Sequence, residues 1–321
     1  MAEIKEPIES YGLSKKDKKK SLFSKVGVVG CGRDGRYIVN LMASSGMEVV
    51  FIEISDERIH DALKEIEQSL DTKIDNWGLT QTEKRSVMGR IKGSLDYKDL
   101  VGCDFVIECI RYEENGERST QLRKEVFKNL EQVLAPDAII STNATTVIIS
   151  ELASDLKHKE RCVSLHFPIG HTDARLLEVV KGTFTSDEVS KKVFLFAKLI
   201  KYTAVEVRES SGLVSMRLMA VMLNEACQML LEGLTSMENI DEEFTIIYGQ
   251  RYGIFRLADI LGIEKMVMLM EDMFNEYGDK KYKPTPILWR LYHSRQLGIA
   301  TKRGFYIYNE AGQVVAPNNL I

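Results

Sequence analysis

The sequence has few cysteines and no excess of charge of either sign. Its 321 residues include five cysteines, and 43 Lys and Arg stand against 47 Asp and Glu, which gives a formal charge of −4. The cysteines are odd in number, scattered and without a CxxC pair, which excludes a readable disulfide framework or zinc ribbon and favours a reducing cytoplasm. The balanced charge gives no reason to expect nucleic acid or an anionic membrane as a partner.

Long hydrophobic runs are also missing. No uninterrupted apolar stretch approaches the roughly 20 residues that a membrane helix needs, and the most apolar region, residues 213–234, is interrupted by charged and amide side chains. The polar, lysine-rich leader lacks the apolar segment of a secretory signal. With 44% apolar and 28% charged residues, the chain is long enough for two packed domains, and we expect a cytoplasmic protein with no membrane segment.

Strand-like and helix-like segments alternate over the first two thirds of the chain. Short apolar runs predict strands at residues 25–30, 49–52, 104–107, 138–141, 162–165, 176–180 and 203–207. Helical patterns cover residues 33–45, 56–74, 121–134 and 186–200. Capping-box spacings from Thr80 to Glu83 and from Thr185 to Glu188 predict two helix starts. The alternation predicts a parallel α/β sheet with right-handed crossovers.

The pattern changes near residue 211. Strand-like runs become rare, and apolar residues such as Met219, Leu223 and Cys227 recur at helical spacing. Nine of the 13 methionines lie between Met216 and Met273, which indicates either a methionine-rich helical core or an adaptable interface. We therefore expect a mostly α-helical C-terminal domain at residues 209–321, after a polar leader at residues 1–21 and an α/β domain at residues 22–208.

A glycine-rich turn follows the first predicted strand. Gly30, Gly32 and Gly35 form a GxGxxG pattern that ends a β-branched strand and opens a helix. In this context the pattern predicts dinucleotide binding on a Rossmann-type doubly wound sheet. Gly30 permits the tight turn, Gly32 lets the pyrophosphate approach the backbone, and Gly35 lets helix and strand pack closely. The alternative is a glycine-rich turn that binds nothing.

An acidic residue supports the dinucleotide interpretation. Glu53 ends the second predicted strand, about 20 residues after the glycines, as the fingerprint requires. We expect its carboxylate to bind the adenosine ribose and to repel a 2′-phosphate, which favours NAD over NADP. Asp34 is compatible with the helix dipole but would repel a phosphate that it faced, and Arg33 can offset that charge.

Separated motifs behind this turn resemble the 3-hydroxyacyl-CoA dehydrogenases in order and spacing. They read VIEC at 106–109, STNATT at 141–146, LHF at 165–167 and LLEVV at 176–180, where the family has roughly VIEA, TNTSSL, HFFNP and LVEV. A C-terminal TKRGFYIY at 301–308 is similar to the family's TGKGFYxY. The resemblance covers about residues 22–310 and implies an enzyme of fatty acid metabolism that oxidises a 3-hydroxyacyl-CoA with NAD, and the reverse.

The resemblance implies roles for individual residues. His166 matches the catalytic base, and Glu178 matches the carboxylate that orients it. Thr145 replaces a serine that contacts the reacting oxygen, and Asn143 matches an asparagine beside nicotinamide and substrate. The base is chemically suitable because free imidazole titrates near pH 6.5, and a carboxylate on its other ring nitrogen fixes the tautomer. A hydrogen-bonded histidine at a strand end, without catalytic function, is the alternative.

Two further positions are implied less directly. Ser69 lies on the helical arm that in the family contacts CoA, although it can equally be a polar residue on a solvated helix. Glu113 lies near the family's carboxylate after the fourth strand, where this chain has an apparent insertion. The remaining histidines show no metal-ligand spacing, so we expect no metal. The expected partners are NAD and an acyl-CoA, and the apolar helical domain suggests a homodimer.

The sequence departs from the family pattern on the substrate side. Ile169 occupies an asparagine position after the catalytic histidine. The family's PGFIVNR reads SGLVSMR at 211–217, so a second asparagine has become Met216 and the proline is absent, and Gly-Pro-Phe reads GIF at 253–255. Lost donors cost on the order of 1 to 3 kcal/mol each, so substrate or efficiency is expected to differ. Two alternatives stay open: a dehydrogenase for a 3-hydroxy acid without CoA, such as a sugar acid, and a non-catalytic NAD-binding protein.

Overall fold

The structure, a computed structural model, describes residues 23–110, 120–168 and 175–319. Contacts between Cα atoms divide the chain into two compact units. The first comprises Met1–Val106 with Val133–Ala138, and the second comprises Ile107–Gln132 with Ile139–Ile321. The domain limits at residues 22–208 and 209–321 stay predictions.

The first unit begins with the strand, turn and helix that the glycine pattern predicts. Its elements are β1 (Lys25–Val29), α1 (Arg33–Ser44), β2 (Glu48–Ile52), α2 (Asp56–Asp75), α3 (Gln81–Met88) and β3 (Ile91–Ser94). Both β1 with β2 and β2 with β3 pair in parallel. The capping box before α3 is present, since Thr80 Oγ1 accepts from the Glu83 N–H and the Glu83 carboxylate accepts from the Thr80 N–H.

The second unit continues the alternation. Its elements up to residue 208 are the end of β4 (Phe105–Glu108), most of α4 (Thr120–Val133), β5 (Ile139–Thr142), α5 (Ile149–Ala153), β6 (Cys162–His166), β7 (Leu176–Lys181), α6 (Asp187–Leu199) and β8 (Thr203–Arg208). The described strands form an eight-stranded sheet in the order β3-β2-β1-β4-β5-β6-β7-β8. Its first six positions follow the doubly wound order, which confirms the predicted fold class.

One strand runs against the predicted direction. The alternation of strands and helices predicts a parallel sheet, but β7 pairs antiparallel with β6 and then parallel with β8. Residues 167–175 between β6 and β7 are too few for the crossover of a dozen or more residues that a parallel return requires. The chain therefore turns back beside β6, and α6 supplies the crossover from β7 to β8 instead.

The predicted capping box at Thr185 is wrong. Helix α6 is capped by Ser186, whose side chain accepts from the Val189 N–H at 3.2 Å. Thr185 is committed to the preceding turn, because its hydroxyl donates to the Cys162 carbonyl at 2.6 Å and accepts from the Gly182 N–H at 3.0 Å.

The remainder of the second unit is mostly helical, as expected. Its elements are α7 (Ser215–Leu231), α8 (Met237–Tyr248), α9 (Ile254–Leu261), α10 (Ile263–Tyr277), α11 (Pro286–His293) and the antiparallel hairpin of β9 (Tyr306–Tyr308) and β10 (Val314–Pro317). Six methionines lie in its buried core: Met216, Met219, Met237, Met266, Met270 and Met273. This burial favours the methionine-rich core over an adaptable interface for most of them. No described helix is long and apolar enough to cross a membrane.

Two buried carboxylates hold the C-terminal RGFYIY segment in place by hydrogen bonds. Asp259 accepts from the Phe305 and Tyr306 N–H groups at 2.8 and 2.9 Å and from the Tyr308 hydroxyl at 2.8 Å. Asp241 accepts from the Tyr306 hydroxyl at 2.9 Å. Burial raises the pKa of Asp241, and it raises that of Asp259 to about 7, against the bonds that favour the charged form. The segment thus packs on Asp241 of α8 and Asp259 of α9.

Candidate active site

The glycine-rich turn of the first unit leaves its backbone open at the start of α1. Gly30 has φ of +87°, a conformation that residues with a Cβ rarely adopt, and Gly32 is the N-cap of α1. A Cβ placed on Gly32 would meet no protein atom within 4 Å, so a ligand can approach this backbone directly. The start of a helix favours an anion, because the helix dipole and the N–H groups of the first turn point toward it.

Glu53 is fixed beside this turn. It is 9% exposed, its Oε1 accepts from the Cys31 N–H at 2.6 Å, and its Oε2 accepts from the Ile54 N–H at 3.2 Å. Each carboxylate oxygen keeps a second lone pair with which it can bind a ribose hydroxyl. Burial, and then the charge of Glu53, raise the pKa of the Cys31 thiol far above its usual range, so Cys31 stays protonated and is not a nucleophile.

The other predicted cofactor residues lie on α1. Arg33 Nε and Asp34 Oδ1 are 3.3 Å apart at its start, so the cation partly offsets the charge of Asp34. Gly35 is buried within the same helix. On α2, Ser69 is exposed, and its hydroxyl lies 3.5 Å from Asn40 Nδ2. Its predicted contact with CoA stays a prediction.

The predicted catalytic pair forms in the second unit. His166 ends β6, and in the register of the antiparallel pair it lies directly opposite Glu178 on β7. Residues opposite each other in such a pair project from the same face, so the two side chains meet. His166 Nδ1 and Glu178 Oε2 are 2.5 Å apart, and the side chains are only 2% and 1% exposed. The short distance and the burial make this a strong charge-assisted contact.

The start of α7 completes the surroundings of Glu178. Its Oε1 accepts from the N–H groups of Val214 and Ser215 at 3.1 and 3.0 Å, and its Oε2 accepts from the Ser215 hydroxyl at 2.9 Å. Burial alone would raise the pKa of Glu178, but the bond and charge of His166 and the bonds from Ser215 outweigh burial and hold the pKa below its ordinary value. Glu178 is therefore a charged acceptor at neutral pH.

Asn143 connects the end of β5 to the catalytic strand. Its Oδ1 accepts from the Phe167 N–H at 3.2 Å, directly after His166, and its own N–H donates to the Glu108 carbonyl at 2.8 Å. Since Oδ1 is used in this way, the amide Nδ2 is the donor that Asn143 can present to a ligand. Thr145 is half-buried, and its carbonyl accepts from the Gly212 N–H at 2.7 Å, which fixes the segment before α7.

A buried ionic cluster supports these strand ends. Glu108 is fully buried, and its Oε2 accepts from Arg123 at 2.7 Å and from the Thr142 hydroxyl at 2.6 Å, while its Oε1 accepts from the Ile110 N–H at 2.5 Å. We did not single out this cluster from the sequence. Its signal was present in the VIEC motif, where a carboxylate stands in an otherwise apolar strand.

The remaining predicted residues form no described contact with the His166–Glu178 pair or with the glycine-rich turn. Met216 is 3% exposed and belongs to the helical core, and Glu113 and Ile169 lie outside the described residues. Within the described ranges, no group of three or more potential metal ligands comes together. The sequence did not point to Ser215, which has direct contact with both members of the pair.

Two family models match most of the chain. The 3-hydroxyacyl-CoA dehydrogenase NAD-binding domain matches residues 25–210, and the C-terminal domain of the same family matches residues 212–308.

Curated proteins and solved structures agree with this match. The 3-hydroxybutyryl-CoA dehydrogenase of Clostridioides difficile is 30% identical over 89% of this chain and all of its own length. A probable 3-hydroxybutyryl-CoA dehydrogenase of Bacillus subtilis is 32% identical over 88% of this chain and 96% of its own. Among solved structures, (S)-3-hydroxybutyryl-CoA dehydrogenase PaaH1 of Ralstonia eutropha has a TM-score of 0.79 and 32% identity, covering 90% of this chain and all of that one. FadB2 of M. tuberculosis has a TM-score of 0.84 and 27% identity, covering 89% of this chain and 99% of that one.

Proposed function

Because the chain belongs to the 3-hydroxyacyl-CoA dehydrogenase family, we propose that His166 is the base of its NAD-dependent reaction and that Glu178 positions it. The reaction of the family interconverts a 3-hydroxyacyl-CoA and a 3-ketoacyl-CoA. The observation that carries the proposal is the buried 2.5 Å contact between His166 Nδ1 and Glu178 Oε2. A charged carboxylate on Nδ1 places the proton on that nitrogen and leaves Nε2 as the acceptor.

The proton chemistry follows from this tautomer. In the oxidation, the O–H bond of the substrate alcohol breaks, and Nε2 of His166 takes the proton. Bound NAD supplies the hydride acceptor for substrate C3. The imidazolium that results faces the carboxylate of Glu178, which stabilises the positive charge in a buried site. In the reverse direction, the same Nε2 returns the proton to the oxygen of the ketone.

Thr145 and Asn143 are proposed to hold the reacting oxygen. A threonine hydroxyl can donate to that oxygen as a serine does. Asn143 accepts from the Phe167 N–H through Oδ1, so its Nδ2 group can donate to the reacting oxygen. A donor aimed at the oxygen where negative charge develops stabilises the transition state more than the ground state.

The cofactor is NAD, and the turn of the first unit fits it. We propose that the backbone at Gly30, Gly32 and Gly35 carries the pyrophosphate and that Glu53 binds the ribose. Arg33 and Asp34 are proposed to flank it as an ion pair that adds little net charge. Glu113 is retained as a proposed cofactor contact from the family resemblance alone.

For the substrate we propose a short 3-hydroxyacyl-CoA such as 3-hydroxybutyryl-CoA, which the names of the relatives support. Ser69 is proposed to contact CoA, and Met216 is proposed to stand on the substrate side in place of an asparagine. Oxidation of NADH by acetoacetyl-CoA, followed by absorbance, tests the activity against a His166→Gln control. A wild-type rate no higher than that of the control would overturn the proposal, and faster turnover of free hydroxy acids than of CoA esters would reassign the substrate.

We further propose a homodimer in the cytoplasm. Val214, Leu218 and Met222 follow each other at a spacing of four along α7 and are 52%, 60% and 41% exposed, so one face of this helix presents an apolar stripe to solvent. None of the five cysteines, all of which lie in the described ranges, forms a disulfide, which suits a reducing compartment. Light scattering of the wild type and of Leu218→Glu tests the dimer. The new carboxylate in the apolar stripe is expected to dissociate it. A monomeric wild type contradicts the dimer.

A further inference from the structure

We propose that Ser215 is a positioning residue that lowers the pH at which the His166–Glu178 pair begins to work as a base. The inference rests on the proposed function, because it concerns the same pair. Ser215 occupies the valine position of the family's PGFIVNR, which reads SGLVSMR here. A valine offers only its backbone N–H at this position, whereas this chain adds a hydroxyl to it.

The hydroxyl of Ser215 reaches both members of the pair. Ser215 Oγ donates to Glu178 Oε2 at 2.9 Å and lies 3.4 Å from His166 Nδ1. Glu178 Oε2 is the same oxygen that accepts from His166 at 2.5 Å. Two donors therefore share one carboxylate oxygen, while the second oxygen is occupied by the N–H groups of Val214 and Ser215.

A shared acceptor changes the balance between neutral and protonated imidazole. The imidazolium of His166 is stabilised by the negative charge on Glu178 Oε2, and a hydroxyl that donates to the same oxygen withdraws part of that charge. The imidazolium is thereby stabilised less, so neutral His166, which is the form that can accept a proton, persists to lower pH. The backbone donors at Oε1 do not depend on the side chain at 215 and stay in place in a variant.

Other charged groups of the surrounding strands do not face the pair. Glu178 pairs with Val205 on β8. Lys181 is three residues from Glu178, and Glu206 and Arg208 are one and three residues from Val205, so all three separations are odd. Side chains alternate along a strand, so these three project from the opposite face of the sheet.

Charged groups of the neighbouring helices are engaged elsewhere. Arg217, two residues further along α7, donates to the Tyr282 hydroxyl at 2.9 Å. Asp272 on α10 accepts from the Thr146 hydroxyl at 2.8 Å. Among the residues that the structure describes, Ser215 is thus the one whose side chain forms hydrogen bonds to the His166–Glu178 pair.

The pH profile of kcat/KM for oxidation of 3-hydroxybutyryl-CoA tests the inference. Ser215→Ala and Ser215→Val are expected to move the midpoint of the rising limb upward by about half a pH unit to one unit, a three- to tenfold change in proton concentration. The rate at the high-pH plateau is expected to change much less than the rate at pH 6. Ser215→Thr keeps a hydroxyl and is expected to restore the wild-type midpoint.

Controls separate this role from general damage to the fold. Ser236→Ala removes a hydroxyl from the start of α8, where it accepts from the Asn239 N–H at 3.3 Å, and is expected to leave the midpoint unchanged. An unchanged midpoint in Ser215→Ala, or a loss of rate that is equal at every pH, overturns the inference.

An NMR titration of the His166 ring keeps the inference separate from the proposed function. The ring signal is identified by its absence in His166→Gln, and its titration needs no substrate. A higher midpoint in Ser215→Ala than in the wild type supports the inference even if acyl-CoA is not turned over. A wild type that turns over acyl-CoA with identical titrations in both proteins supports the function and contradicts the inference.

Discussion

His166 and Glu178 are direct cross-strand partners, although they are 12 residues apart in the chain. Their pairing depends on the reversal of β7, because a parallel β7 would not place Glu178 opposite the end of β6. The antiparallel return thus brings the Glu178 carboxylate opposite His166, the proposed base, at the end of β6. The same return presents Glu178 to the first N–H groups of α7, so one carboxylate is fixed by a strand and by a helix.

Replacing Glu178 by Gln is expected to lower kcat by about a hundredfold to a thousandfold, within the range of general-base contributions. The amide cannot stabilise the imidazolium, and its NH2 group favours the histidine tautomer that carries its proton on Nε2. Steady-state oxidation of 3-hydroxybutyryl-CoA measures the effect. Glu209→Gln is the matched control, because Glu209 accepts from Ser150 and Thr183 without contacting His166. A Glu178→Gln rate within threefold of wild type would rule out the assigned role.

The sequence predicted the elements that carry the pair, but it did not predict all of their surroundings. Strand patterns and motif spacing are local signals. They placed Glu178 within the predicted strand at 176–180 and His166 directly after the one at 162–165, and the structure extends that strand by one residue to His166. The contact of Ser215 with both residues depends on where α7 begins relative to β7. Ser215 follows Glu178 by 37 residues in the chain, and no local pattern encodes a contact over that separation. Neighbouring candidates were also hard to separate, since Thr185 and Ser186 both suit an N-cap and tertiary bonding to Cys162 decided between them.

Replacing Gly32 by Ala is expected to weaken NAD binding by about tenfold to a hundredfold, while the free energy of unfolding falls by no more than about 1 kcal/mol, because alanine is a poorer N-cap than glycine. The new Cβ meets no protein atom within 4 Å, and φ of −67° at Gly32 is ordinary for alanine, so the fold tolerates it. The methyl group would occupy the space through which the pyrophosphate is proposed to approach the backbone. Calorimetric titration with NAD and urea unfolding measure the two quantities. Gly89→Ala, at the end of α3, serves as the control and should bind NAD like the wild type.

Replacing Glu53 by Gln is expected to reduce the preference for NAD over NADP at least about tenfold, since it removes a unit charge near the ribose. The amide oxygen can still accept from the Cys31 N–H, and the longer bond from the Ile54 N–H at 3.2 Å is lost. The ratio of kcat/KM values for the two coenzymes is the measurement. An unchanged ratio would show that Glu53 does not face the ribose.

Replacing Gly304 by Ala is expected to lower the free energy of unfolding by about 1 to 3 kcal/mol, as overpacking of a core does. A Cβ on Gly304 would lie 1.9 Å from Asp259 Oδ1, which the Phe305 N–H holds in place. Urea unfolding measures the change, with Gly32→Ala as a glycine substitution that meets no atom. Equal stability of the two variants would contradict the close packing of this segment on Asp259.

Replacing Asp259 by Asn should flatten the pH dependence of stability. Burial raises the pKa of Asp259 in the folded protein from 3.8 to about 7, so between these values the folded state keeps a proton that the unfolded chain has released. The unfolding free energy of the wild type therefore falls as pH rises through this window, by at most about 1.4 kcal/mol per pH unit from this group, and levels off above pH 7.

The amide of the Asp259→Asn variant cannot titrate, so the stability advantage of the wild type over this variant is expected to be largest near pH 4.5 and smallest above pH 7. Urea unfolding at intervals from pH 4.5 to 8 measures the difference between the two proteins. Asp241, whose pKa is also raised by burial, is present in both proteins, so its own slope largely cancels. Asp279→Asn in an exposed turn is the matched control and should run parallel to the wild type, because its neighbour Lys281 lowers the pKa of Asp279 below this window. Parallel curves for Asp259→Asn and the wild type would mean that Asp259 is already ionised in the fold at pH 4.5.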